Sequence, residues 1–230
     1  MGIHEGHRER LRTRFLENGL DSFHEINALE LLLFYAIPRR DTNVIAHQLL
    51  DRFGTLQGVF EASQQELCEV PGIGPQAAAL ILLVPQLMRK SAVSRTKEIT
   101  RITRTSDAGR YLLPRLQDEK VEVVLMLCLD SKRNIINCTE MGRGVVNSTE
   151  TSIRRIVETA LKSKAVSVIL AHNHPDGLAL PSTEDDAVTH QVNQALSLIG
   201  IRLLDHIIVA GDDYVSYRDS GFLYLDTYSG

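Results

Sequence analysis

A chain of 230 residues has room for two modest domains, and its 43% hydrophobic content supplies proper cores. A formal net charge of −4 excludes a surface that is basic throughout, as a general polyanion binder would need. The longest apolar run, Ala77 to Val84, is too short to span a bilayer, and Glu5, Arg8 and Glu9 interrupt any signal-peptide pattern, so no membrane partner is expected.

The front of the chain reads as helical. Leu29, Leu32, Leu33 and Ala36 form one helical stripe, ended by Pro38. Ile45, Leu49 and Leu50 form another, stopped by Gly54, and Ser63-Gln64-Gln65-Glu66 reads as a capping box for a third helix. Val70 to Ile81 then resembles a helix–hairpin–helix element. Its Gly72-Ile73-Gly74 hairpin would let backbone N–H groups approach a phosphate ahead of a helix N-terminus. Such an element grips nucleic-acid backbone without reading sequence, or serves as a packing or protein-docking turn. Arg89, Lys90, Arg95, Lys97, Arg101 and Arg104 follow it. That run either tracks a phosphate backbone, with Arg89 and Lys90 nearest the hairpin, or is a solvated linker.

The expected division is a helical domain over 1–92, a basic linker over 93–105 and a mixed α/β domain over 106–230. The second domain opens with the strand-like Val121 to Leu127 and carries the acid excess. Cys68, Cys128 and Cys138 are scattered with no C-x-x-C pair, which predicts a reducing, cytoplasmic setting and no disulfide framework. Cys138 reads as a buried, inert thiol.

The pattern with the most chemistry lies further on. His172 and His174 stand two apart, and Ser182 and Asp185 follow at fixed spacing. Val166 to Leu170 reads as a buried strand, with the histidines just past its end. In an extended segment, residues i and i+2 face the same side, so both imidazoles can reach one ion. Ser182 opens a helix as an N-cap, and Asp185 in its first turn faces back to the histidines. Two neutral nitrogens and one carboxylate, with a position left for water, make a ligand set suited to catalytic Zn2+. The plainer reading is a Pro-Asp-Gly turn followed by an ordinary cap.

A hydrolase of this kind needs a carboxylate base. Glu140, Glu150 and Glu158 are the upstream candidates; Glu158 reads as outward-facing and Glu150 as a cap, which leaves Glu140 as the choice. His206, within the apolar Ile201–Val209 stretch, reads as a hydrogen-bonded core histidine. Tyr214, Tyr217, Phe222, Tyr224 and Tyr228 suit a closing strand or hairpin.

With Glu140 about 30 residues upstream, the His172, His174, Ser182, Asp185 set resembles the JAB1/MPN/Mov34 (JAMM) metalloprotease domain. Nearly the whole chain resembles the bacterial RadC family, from Gly6-His7-Arg8-Glu9-Arg10-Leu11 to Leu204-Asp205-His206-Ile207-Ile208-Val209. The resemblance implies a two-domain fold, all-α with a helix–hairpin–helix and then a mixed α/β MPN/JAMM domain of cytidine-deaminase-like type. It implies His172, His174 and Asp185 as zinc ligands and Glu140 as the proton acceptor. It implies Ser182 as a donor to the oxyanion, and a peptide or isopeptide substrate. The family pattern usually has Ser where Asp176 stands and Thr where Val145 stands. The alternatives are a repair-associated DNA-binding protein with a non-catalytic zinc site, and a metal-dependent nuclease on branched DNA. Oligomeric state stays open.

Overall fold

The structure, a computed structural model, describes residues 3–144, 149–175 and 177–223; side chains are described for 6–144, 153–175 and 177–223. The chain divides into two compact units, Met1–Lys90 and Ser91–Gly230.

The first unit is helical. Its elements are α1 (Ile3–Asn18), α2 (Glu25–Leu33), α3 (Thr42–Phe53), α4 (Leu56–Glu61), α5 (Gln64–Cys68) and the first part of α6 (Pro75–Arg95). The stripes seen in the sequence form its core: Leu29 and Leu33 meet Ile45, Leu49, Val59, Leu67, Ala78 and Ile81. Gly54 ends α3 at φ 80, a left-handed position that side chains resist. The expected box at α5 is present, with the Ser63 hydroxyl accepting from the Glu66 amide and Glu66 accepting from the Ser63 amide.

The helix Pro75–Glu98, which is α6 plus a following 3-10 turn (Thr96–Glu98), is long and apolar enough by length and composition to cross a membrane, with a mean hydropathy of 1.2. The count of uninterrupted apolar residues misses this, because Pro85 and Gln86 break the run without breaking the helix. Its Ala77, Ala78 and Ile81 are core residues of the helical unit.

The second unit is a five-stranded mixed sheet in the order β2-β1-β3-β4-β5. The strands are β1 (Val123–Leu129), β2 (Ile135–Arg143), β3 (Ser167–Asn173), β4 (Arg202–Ala210) and β5 (Asp213–Ser216). The helices are α7 (Thr105–Leu116), α8 (Thr149–Lys162) and α9 (Thr183–Ser197). Period-two alternation gives each face of β1 its own partner. Val123, Leu125, Leu127 and Leu129 pack with Ala108, Leu112 and Leu116 of α7. Met126 and Cys128 pack with Ile156 and Ala160 of α8 and Val192 and Leu196 of α9. β3 and β4 run parallel with α9 as the crossover, and the other strand pairs are antiparallel. Gly109 allows α7 to lie on the Tyr214 ring, which fills the space a Cβ there would need.

The stretch expected as a basic linker is largely built in. Arg101 bridges to Asn134, the Ile102 amide donates to the Arg133 carbonyl, and Ile102 is buried among the residues under α7. Arg101 and Arg104 therefore flank a short run fixed by backbone pairing. The apolar Ile99 and Ile102 supply the reason, because they pack into the core beneath α7.

Candidate metal centre

His172 is the last-but-one residue of β3 and His174 lies one past its end. The sequence placed both beyond the strand; pairing to β1 and β4 extends the strand through Asn173. Asn173 points to the opposite side and clamps the segment. Its Oδ1 accepts from the Val123 amide at 2.8 Å, and its Nδ2 donates to the carbonyls of Glu119 and Val121, each at 3.1 Å. The His174 amide continues the ladder to the Val209 carbonyl at 2.8 Å. The backbone between the two histidines is thus held on both sides.

Asp185 comes from the first turn of α9. Ser182 caps that helix: its hydroxyl accepts from the Asp185 amide at 3.1 Å, and Asp185 Oδ2 accepts from the Ser182 amide at 2.8 Å. The geometry brings two imidazole nitrogens and both oxygens of one carboxylate together. His172 Nε2 lies 2.9 Å from His174 Nε2 and 3.0 Å from Asp185 Oδ1, and His174 Nε2 lies 3.3 Å from Asp185 Oδ2. His172, His174 and Asp185 are the one such metal-competent group among the described residues.

The donor chemistry fits a cation. His174 Nδ1 is 3.1 Å from the Leu178 carbonyl, which only accepts, so Nδ1 carries a proton and Nε2 is the nitrogen turned to the cluster. Donor atoms sharing a tetrahedral zinc sit about 3.3 Å apart, close to the separations here. Burial of Asp185 opposes its ionisation, but the Ser182 hydroxyl and amide both donate to it and help hold the carboxyl below the ordinary aspartate range. His172 is almost fully enclosed, with 3% of its side chain exposed, while His174 shows 24%, so the cluster opens on the His174 side.

Behind the cluster stand two residues. His206 Nε2 is 2.8 Å from His172 Nδ1, and His206 Nδ1 is 2.6 Å from Thr189 Oγ1. Burial pushes the His206 imidazole down to about 3, so it is neutral at physiological pH. Tyr217 stacks on it, centroids 5.0 Å apart, and donates through its hydroxyl to Asp186 at 2.9 Å. The core reading of His206 holds, with a hydrogen bond to a candidate ligand added. Thr189 was missed. The available signal was its position four residues after Asp185, on the same helix face.

Glu140 and Ser182, the expected base and oxyanion donor, hydrogen-bond to Arg143 and Asp185 respectively. Glu140 does not join the cluster. It stands opposite Leu125, whose side chain faces α7, whereas His172 stands opposite Val124 on the α8/α9 face. A bulge sets this: Val124 pairs with Gly142 and Leu125 with Glu140, leaving Met141 as an extra residue that shifts Glu140 to the other face. β2 and β3 also flank β1, about 10 Å apart. Glu140 is exposed and pairs with Arg143 at 2.8 Å, and Arg143 also holds Glu119 at 3.2 Å. Ser182 is in place, but its hydroxyl proton goes to Asp185 Oδ2 at 2.6 Å rather than toward open space. Glu158 pairs with Arg154, as an outward-facing residue would. Val145, Asp176, Tyr224 and Tyr228, and the side chain of Glu150, lie outside the described residues.

In the helical unit, Gly72 adopts φ 98 and a Cβ there would meet Ile45. The Ile73 side chain is core and its amide donates to the Val70 carbonyl at 3.0 Å, so this residue packs and closes the turn. Gly74 borders open space. Arg89 and Lys90 lie about 20 Å along α6 from its N-terminus, by helical rise, so they are not part of the hairpin.

The sheet with helices on both faces and the His-x-His strand end define a JAB-type domain preceded by a helix–hairpin–helix region. A family model described as RadC-like JAB domain matches residues 102–222, and one described as helix-hairpin-helix motif matches 55–84. A UPF0758 protein of Bordetella petrii is 39% identical over 94% of this chain and 96% of its own length. UPF0758 proteins of Fusobacterium nucleatum and Saccharophagus degradans are 33% and 32% identical, over 95% and 94% of this chain and 97% and 96% of their own. The chain belongs to the RadC family.

Proposed function

We propose that the protein is a zinc-dependent hydrolase of amide or isopeptide bonds, a metalloprotease of JAMM type. The convergence of two imidazole nitrogens and one carboxylate within 3.3 Å carries this reading. A structural zinc site is usually closed by four protein ligands and rich in cysteine, whereas this set has three and opens on the His174 side. Zinc supplies Lewis acidity there, which polarises a carbonyl and makes water acidic near neutral pH. His172, His174 and Asp185 would hold the ion. Ser182 orients Asp185, and the clamp at Asn173 fixes the two imidazoles relative to one another.

Three unbonded cysteines support a reducing, cytoplasmic setting. The mixed sheet with helices on both faces supports the MPN/JAMM, cytidine-deaminase-like type of fold. We also infer that the hairpin at Gly72–Gly74 touches nucleic-acid backbone, supported by the left-handed turn at Gly72 and the open space at Gly74 before the α6 N-terminus. A role in DNA repair belongs to that second inference.

A side-by-side assay of zinc-loaded full-length protein on isopeptide-linked, peptide and branched-DNA substrates tests this. Chelator-sensitive cleavage of an amide substrate, with about one zinc per chain lost in His174→Ala, is the expected result. Cleavage of branched DNA alone turns the assignment to a nuclease. Bound zinc without any turnover turns it to a structural site.

A further inference from the structure

We propose that Thr189 and His206 form a hydrogen-bond relay that holds a proton on His172 Nδ1, so that Nε2 is the nitrogen presented to the cluster. The purpose of the relay rests on the metal-site reading; its geometry does not.

The argument is a count of protons. Thr189 Oγ1 lies 2.6 Å from the backbone carbonyl of Asp185, an acceptor only, so the single hydroxyl proton points there. Oγ1 must then accept from His206 Nδ1 at 2.6 Å. A neutral imidazole protonated at Nδ1 has a lone pair on Nε2, which accepts from His172 Nδ1 at 2.8 Å. A proton of His172 is thereby held on Nδ1, the side away from the cluster. Nε2 is then the nitrogen turned toward His174 Nε2 and Asp185 Oδ1.

The reverse arrangement fails at Thr189. Were His206 protonated on Nε2, its Nδ1 would need the Thr189 proton. The Asp185 carbonyl and Thr189 oxygen would then face each other with lone pairs at 2.6 Å. His172 would carry its proton on Nε2, into the cluster. Water cannot relieve this, because Thr189, His206 and His172 are 3%, 4% and 2% exposed. Unmatched buried polar atoms carry their full desolvation cost. Tyr217, stacked on His206, holds the ring plane.

The relay also closes on itself. It starts at the backbone of Asp185 and ends at His172, two proposed ligands from different elements. Thr189 and His206 are therefore positioning residues, and an imidazole stands where a carboxylate or carbonyl commonly orients a metal-binding histidine.

The test uses the full chain labelled with 15N, first with metal removed. Long-range imidazole spectra of the wild type are expected to show His172 protonated on Nδ1; an unprotonated Nδ1 overturns the relay. Zinc alone is then titrated against a competing chelator. Thr189→Val is expected to weaken zinc binding about 10- to 100-fold, the usual effect of losing such a partner, with Thr189→Ser restoring it. His206→Gln, which offers an oxygen to His172 and an N–H to Thr189, is expected to keep affinity that His206→Leu loses. Equal losses in Gln and Leu, or wild-type affinity in Thr189→Val, overturn the proposal. A wild type that binds no zinc overturns the metal-site reading instead, and the metal-free spectra decide the relay without it.

Discussion

Ser182 and Asp185 hold each other reciprocally. The serine hydroxyl accepts from the Asp185 amide and donates to Asp185 Oδ2, while that same oxygen accepts the Ser182 amide. A helix cap and a ligand support are here one object. The oxygen that completes the capping box belongs to the carboxylate that faces both histidines.

Ser182→Ala should therefore act twice. Loss of the cap is expected to cost about 0.5–2 kcal/mol of stability, read from urea unfolding. Loss of the hydroxyl also frees Asp185 Oδ2 to rotate, so zinc affinity should fall, with Ser182→Thr retaining most of both. Undiminished zinc binding in the alanine variant would show that the helix turn alone orients Asp185.

Glu140→Gln is expected to leave zinc content and turnover at wild-type levels. Glu140 faces away from the cluster and its one described pairing is with Arg143, an exposed bridge whose loss costs below about 1 kcal/mol. Turnover assays on the substrate found by the side-by-side comparison check this. A loss of turnover with zinc retained would restore Glu140 as the base and require the Met141 bulge to rearrange.

The cysteines should separate by reactivity. Burial pushes the Cys138 thiol up to about 11 and raises Cys128 as well, whereas Cys68 is exposed. A raised pKa lowers the thiolate fraction at a given pH, so at pH near 8 an alkylating reagent should modify Cys68 first. Cys128 and Cys138 should react only on unfolding or as pH rises toward the raised values. Mass spectrometry of timed samples gives the order, and equal labelling of the half-buried Cys138 in the folded protein would contradict its raised pKa.

Much of this was legible in the chain. The stripes of α2 and α3, the box at Ser63, and the pattern through His172, His174, Ser182 and Asp185 are local. A helix period, a cap and an i, i+2 pair in a strand follow from neighbours a few residues apart. The inert reading of Cys138 follows from its place in a strand.

Other features depend on elements distant in sequence. Spacing along the chain is blind to the extra residue at Met141, which decides the face of the sheet that Glu140 occupies. Within 93–105, Ile102 finds its core only once β1, β3 and α7 are assembled. The reach of the helix through Pro85 likewise emerges only from the folded backbone.

By itself the sequence determined which residues could bind a cation, because the chemical types and their short spacings are fixed along the chain. Only the tertiary structure decided how they are held. Thr189 on α9, His206 on β4 and His172 on β3 meet through a crossover and a parallel strand pair. Hydrogen bonds between such elements follow from register and burial, which no local pattern encodes.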